Sequence, residues 1–76
     1  MYNVDKIIRD ISINIYAIRK EHGMSSVALG EHLGKAACTV TKWERGESIP
    51  TFQDILKICN LFSCTLDELL SKQVKC

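Results

Sequence analysis

The sequence predicts an all-α fold of five short helices in one small domain. Apolar residues recur every three or four positions, and no stretch alternates apolar and polar residues as a half-buried strand would. Capping residues and glycines divide this helical pattern into five segments. A chain of 76 residues has room for one hydrophobic core. We therefore expect residues 1–76 to form a single domain.

The first helix is expected to begin near Val4 and to end before Gly23. At about 100° per residue its apolar positions fall within roughly 60° of Ile11, which predicts one buried stripe. These positions are Val4, Ile7, Ile8, Ile11, Ile15 and Ile18. Ile13 lies about 200° away on the opposite face. With Tyr16 it is either an ordinary exposed residue or part of a dimer surface.

The second and third helices are separated by a glycine. Ser25 is a good N-cap for a helix from Ser26 to Leu33, and Gly34 ends it in the left-handed conformation. A third helix is expected from about Ala36 to Arg45, followed by Gly46.

A capping box is expected at the start of the fifth helix, and an imitation of one at the start of the fourth. Thr51 and Asp54 stand at the N-cap and N3 positions of the fourth, and Thr65 and Glu68 do so for the fifth. The apolar set expected for the fourth helix is Phe52, Ile55, Leu56, Ile58, Cys59 and Phe62. The fifth helix is short and runs through Leu69 and Leu70.

Residues 25–46 have the layout of two helices that cross steeply, with glycines where their backbones must approach. Gly30 costs the second helix about 1 kcal/mol relative to alanine, so close packing explains its presence better than chance does. Gly34 opens the turn. The small core beneath this motif is expected from Leu29, Leu33, Val40 and Trp43.

Several segments of the chain share one wider pattern. They are residues 18–25, 29–34 and 40–46, Pro50, and residues 66–70. Together they resemble the phage Cro/repressor family, also called XRE-type helix-turn-helix proteins. The most specific part is the string at residues 42–46 followed four positions later by Pro50. The similarity covers about residues 11–70, which leaves an N-terminal extension (1–10) and a C-terminal tail (71–76).

The resemblance implies a lambda-repressor-like DNA-binding domain of five helices, whose third helix enters the major groove. It also implies that Arg19 pairs with Glu44. The residues it places at DNA are Ser25, Ser26, Lys35, Ala36, Ala37, Cys38, Thr39, Thr41, Lys42 and Arg45.

The chemistry of these side chains fits the implied roles unevenly. Lys42 can donate to guanine O6 and N7, the two threonines can bond bases or phosphate, and Ala37 can contact a thymine methyl. The serines at the start of the second helix, together with Arg45 and Lys35, suit phosphate contacts.

The chain departs from the usual family pattern at four of these positions. Ser26 stands where glutamine is usual, Ala37 where a long polar residue is usual, and Lys35 where an apolar one is usual. Ala36 replaces a serine or threonine cap, which forgoes about 1 kcal/mol. We therefore expect modest discrimination by each half-site, with reliance on phosphate contacts, methyl contacts and dimerisation.

Composition limits the other classes of function. The net charge is +1, and no apolar run approaches the roughly 20 residues of a membrane span. Cys38, Cys59, Cys64 and Cys76 form no metal-ligand spacing with each other or with the two histidines, which are expected at the surface. They predict reduced thiols in a cytoplasmic protein. The sequence shows no catalytic nucleophile paired with a general base and no phosphate-binding loop, so it does not predict an enzyme. No cofactor is expected.

The predicted function is a sequence-specific transcriptional regulator that binds double-stranded DNA as a homodimer. The alternative is a protein-interaction module, such as an antitoxin-like partner, that keeps the fold with weak or no DNA binding. Two dimer surfaces remain open at this point. One is the C-terminal helix with its surroundings, and the other is the N-terminal region: Phe62, Leu66, Leu69 and Leu70, or Tyr2, Val4, Ile7 and Ile13.

Overall fold

The computed structural model describes residues 3–70 and has five α-helices there. These are α1 (Val4–Glu21), α2 (Ser26–Leu33), α3 (Ala37–Arg45), α4 (Phe52–Phe62) and α5 (Leu66–Leu70). The predicted all-α fold of five helices is confirmed. Tyr2, Cys76 and the tail from residue 71 lie outside the described residues. None of the described helices is both long enough and apolar enough to cross a membrane.

The predicted caps are present. The Ser25 hydroxyl accepts from the Ala28 N–H at 3.0 Å, and the Thr51 hydroxyl accepts from the Asp54 N–H at 3.1 Å. At α5 the Thr65 N–H donates to the Glu68 carboxylate at 2.8 Å. α3 begins one residue later than expected, because Ala36 is its N-cap and offers no side-chain hydrogen bond.

The core lies between α1, the α2–α3 pair and the inner side of α4 and α5. Trp43 is buried in it, as predicted, and so are the three other residues expected beneath the motif. The ten core residues are Ile11, Ile15, Leu29, Leu33, Val40, Trp43, Ile55, Ile58, Cys59 and Leu69.

Three residues expected on buried faces are exposed. Val4 is 64% exposed because residues 3–6, the start of α1, are all uncovered. Phe52 and Leu56 are 65% and 41% exposed. At 100° per residue they lie about 90–130° from the centre of the buried stripe of α4. The stripe predicted for that helix was therefore too wide.

Asn14 ties α1 to the end of α5. Its buried amide donates to the carbonyl of Leu69 at 2.7 Å and to that of Glu68 at 3.3 Å. Carbonyls in the last turn of a helix have no partner within the helix, so this side chain supplies one. The apolar periodicity of α1 gave no sign of this role. Leu69 itself is fully buried, so it is unavailable for a dimer contact.

Gly30 allows α2 and the start of α3 to meet. The Lys35 N–H donates to the Gly30 carbonyl at 2.8 Å, and Gly34 between them has φ 71°. A Cβ at residue 30 would overlap the carbonyl oxygen of Lys35, a backbone atom that cannot rotate away. This is the close approach that the sequence predicts for Gly30.

We expect Gly30→Ala to lower the free energy of unfolding by about 2 kcal/mol or more, because the backbone must shift to admit the methyl group. The better helix propensity of alanine, about 1 kcal/mol, offsets only part of this. Urea denaturation followed by circular dichroism measures it. Gly23→Ala is the matched control: φ is +64° there but no atom lies within 4 Å of a new Cβ. A larger loss in the control than in Gly30→Ala would contradict the steric argument.

Candidate nucleic-acid interface

Arg19 and Glu44 join the end of α1 to the end of α3, in the pairing that the resemblance implies. Arg19 Nε lies 2.6 Å from Glu44 Oε2, and Nη2 lies 3.0 Å from Oε1. Arg19 Nη1 also donates to the Met24 carbonyl at 2.9 Å. The hydrogen bond to Glu44 raises the pKa of Arg19, against the lowering effect of burial. A bidentate pair of this kind fixes both position and orientation.

The exposed face of α3 carries four of the predicted DNA contacts. At 100° per residue Cys38, Thr41, Lys42 and Arg45 fall within about 100° of one another. The two cations and Cys38 are exposed, and Thr41 is half-buried. The buried residues Val40 and Trp43 point the opposite way, into the core. Burial of one side of α3 therefore leaves this set facing outward together.

The other predicted residues of α3 flank that face. Ala36 is exposed at the helix start, whereas Ala37 and Thr39 are half-buried. The Thr41 hydroxyl donates to the Ala37 carbonyl at 3.1 Å, so its proton is committed within the helix and its oxygen remains an acceptor.

At the start of α2, Ser25 is exposed and Ser26 is half-buried. The Ser25 oxygen accepts the capping hydrogen bond from Ala28, so its hydroxyl proton remains able to donate.

Lys35 and Arg45 each lie near an acidic side chain. Lys35 Nζ is 3.5 Å from Oδ2 of Asp54, a buried carboxylate on α4. Arg45 Nη1 is 3.7 Å from Oε2 of Glu47, and both side chains are exposed, which makes the pair weak. Asp54 was expected only as part of a capping box. Its contact with Lys35 depends on how α4 packs against α2, which local sequence does not reveal.

Three described cysteines are free thiols. Cys38 is exposed and Cys59 is buried, as the apolar run around it suggests. Burial, with a further contribution from Cys59, raises the pKa of Cys64 to about 11. His22 and His32 are exposed, as expected. Within residues 3–70 no three His, Cys, Asp or Glu side chains group as a metal site.

A helix-turn-helix family model matches residues 15–69. The chain belongs to the helix-turn-helix family. The resemblance to its XRE-type members is confirmed, and the chain is a DNA-binding transcriptional regulator.

Solved structures of two proteins resemble this helix-turn-helix chain. The P22 c2 repressor, in complex with a synthetic operator, is 28% identical with a TM-score of 0.75, and the match covers 83% of this chain and 96% of the repressor. A transcriptional regulator from Listeria innocua is 25% identical with a TM-score of 0.76, covering 86% of this chain and 63% of that one. No curated protein matches the sequence.

At pH 8 we expect iodoacetamide to modify Cys38 before Cys59 or Cys64. The thiolate is the reacting form, and a pKa of about 11 leaves little of it at Cys64. Peptide mass mapping against time measures the order. Equal rates at Cys38 and Cys64 would contradict it.

The raised pKa of Cys64 also predicts that the protein loses stability at high pH. The pKa of Cys64 is 9.0 ordinarily and about 11 in the fold, so the unfolded chain ionises first. The contribution of Cys64 is present below pH 9 and is lost as pH rises through 11. Cys64→Ser should show a smaller fall in unfolding free energy over this interval. Parallel curves for the two proteins would show that other groups cause the fall.

Proposed function

We propose that this regulator binds operator DNA as a homodimer in the cytoplasm, with α3 of each copy in the major groove. The observation that carries the proposal is the outward face of α3, where Cys38, Thr41, Lys42 and Arg45 lie together opposite a buried Trp43. An α-helix fits the major groove, and its exposed side chains then reach base edges. The P22 c2 repressor, a similar structure, is seen with a synthetic operator.

Base reading is assigned to the front of α3. Lys42 donates to guanine, the oxygen of Thr41 or Thr39 accepts from a base or bonds phosphate, and Ala37 contacts a thymine methyl. Ala36 and Cys38 are short side chains at the same end, and they let the helix approach the bases closely. This set can form few bidentate hydrogen bonds, so one half-site discriminates modestly.

Phosphate contacts are assigned to the flanks. Ser25 and Ser26 bring hydroxyl and backbone donors at the start of α2, where the helix dipole favours an anion. Arg45 supplies a charge at the far end of α3. Lys35 contributes less, because Asp54 already lies 3.5 Å from its ammonium group.

Because one copy discriminates only modestly between base sequences, specific binding favours a homodimer. Two copies on a two-fold operator double the contacts, with recognition helices about 34 Å apart. The net charge of +1 gives only weak long-range attraction to DNA, which makes the second half-site more important.

Selection from a random DNA pool tests the whole proposal. We expect an enriched two-fold sequence with half-sites about ten base pairs apart. Binding to it should weaken steeply as salt rises, because cation contacts to phosphate release counterions. Absence of binding to every duplex, including genomic fragments, would instead support a protein-interaction module.

Lys42→Ala should weaken binding to the selected operator by about 1–3 kcal/mol and reduce preference at one base position. Fluorescence anisotropy with operator and random duplexes measures both effects. Lys20→Ala, which removes an exposed lysine from α1, is the control and should keep the operator preference. An equal loss on operator and random DNA would identify Lys42 as a phosphate contact.

A further inference from the structure

Two cysteines meet where α4 ends. The Cys64 N–H donates to the Cys59 carbonyl at 3.0 Å, a hydrogen bond that spans five positions. Between them Ser63 ends α4 in the left-handed conformation, with φ 56°. This is the Schellman type of helix end, in which the side chains on the two sides of the turn come into contact. The backbone therefore brings the two cysteine side chains together.

The thiols of these two cysteines are in contact. A hydrogen bond links the Cys64 thiol to Cys59, and Cys64 packs against the core to which Cys59 belongs. Two cysteines can be bridged without backbone movement only where their side chains already point toward each other. Cys59 and Cys64 meet this condition.

We propose that Cys59 and Cys64 form a dithiol site that a low-molecular-weight disulfide oxidises, through Cys64 first, to an intramolecular disulfide across the end of α4. Both residues are free thiols in this structure, which therefore describes the reduced state. The proposal does not depend on DNA binding.

A groove beside Cys64 gives an oxidant access to the site. Cys64 is half-buried and lines this groove with Ile18 of α1 and Phe62 of α4. The groove has a volume of about 880 Å³, which is within the range of small-molecule sites. Cys59 is only 8% exposed. Cys64 is therefore the thiol that an incoming disulfide reaches first.

The reaction is thiol–disulfide exchange in two steps. The Cys64 thiolate attacks one sulfur of the incoming disulfide, whose S–S bond breaks, and half of the molecule leaves as a thiolate. The Cys59 thiolate then attacks the Cys64 sulfur and expels the other half. The protein loses two protons and two electrons in total. The oxidant gains them and becomes two thiols.

The surroundings of the site suit a disulfide better than a bound soft metal ion. Burial, with contributions from Cys59 and Glu68, raises the pKa of Cys64 to about 11. Surroundings that disfavour a thiolate also disfavour a charged metal–dithiolate, whereas a disulfide carries no charge. Within residues 3–70 no group of three potential ligands forms a metal site.

The raised pKa also determines how fast the site reacts. Little of Cys64 is a thiolate at neutral pH, so closure of the disulfide is slow. A thiol of high pKa is also a poor leaving group, so the disulfide resists reduction once it has formed.

Closing the disulfide attaches the end of α4 to the start of α5. Cys64 stands two positions before Leu66, the first residue of α5. This helix has five residues, and Asn14 of α1 binds the carbonyl of Leu69 in it. A bridge between residues 59 and 64 restricts the unfolded chain. The oxidised protein is therefore expected to resist unfolding better than the reduced protein.

Incubation of the reduced full-length chain with excess oxidised glutathione at pH 8 tests the site. Trypsin cleaves after Lys57 and Lys72, so one peptide (58–72) holds Cys59 and Cys64, whereas Cys38 and Cys76 fall on other peptides. We expect peptide 58–72 to become lighter by two hydrogen atoms and to resist alkylation until it is reduced. Any other result for this peptide, once Cys38 has reacted completely, would overturn the proposal.

Two matched variants test the order of attack. Cys59→Ala should stop at a mixed disulfide between Cys64 and glutathione. Cys64→Ala should take up glutathione at Cys59 roughly tenfold more slowly or not at all, because that thiol is buried. The reverse order would overturn the assignment of Cys64 as the first thiol. Circular dichroism checks that both variants fold, and the wild-type peptide decides the pairing if one of them does not.

A redox titration tests whether the fold holds the thiols together. We expect the equilibrium constant for closing the disulfide, measured on peptide 58–72 in glutathione buffers, to be roughly tenfold or more larger in the native chain than in concentrated urea. By linkage, oxidation should then lower the unfolding equilibrium constant by the same factor. A constant that is equal or smaller in the native chain would overturn the proposal, because proximity along the sequence alone would explain the bond.

Discussion

The contact between the backbone of Lys35 and Gly30 sets the angle at which α3 leaves α2. No side chain larger than hydrogen fits at residue 30, and the left-handed Gly34 turns the chain within one residue. Once that angle is set, burial of Val40 and Trp43 determines which side of α3 remains outside. Lys42 therefore faces outward because of the way α2 and α3 pack. The chemistry of the lysine side chain does not determine this position.

The Arg19–Glu44 pair secures the other end of α3. The start of α3 has no side-chain cap, so its position depends on the turn, and its C-terminal end depends on this pair. Both charges are largely buried, and removing one partner would leave the other without compensation. The binding helix is therefore held at both ends, by backbone packing at one and by charge at the other.

The sequence predicted where the helices begin and end better than it predicted which of their side chains are buried. Helix limits came within a residue because caps such as Ser25 and Thr51 act locally. Exposure of Phe52 and Leu56 was not predictable, since it depends on which side of α4 meets the core. The Arg19–Glu44 contact came from the family resemblance alone, because 25 positions separate the two residues. No local pattern in the sequence predicts the contacts of Asn14 with α5.

Asn14 and Arg19 also make α1 the helix that connects α3 with α5. One binds the last turn of α5 and the other binds the end of α3, five positions apart on the same helix. Neither α3 nor α5 is long enough to persist as an isolated helix in water. We therefore expect the slowest amide protons of α1, α3 and α5 to exchange with solvent through one common opening.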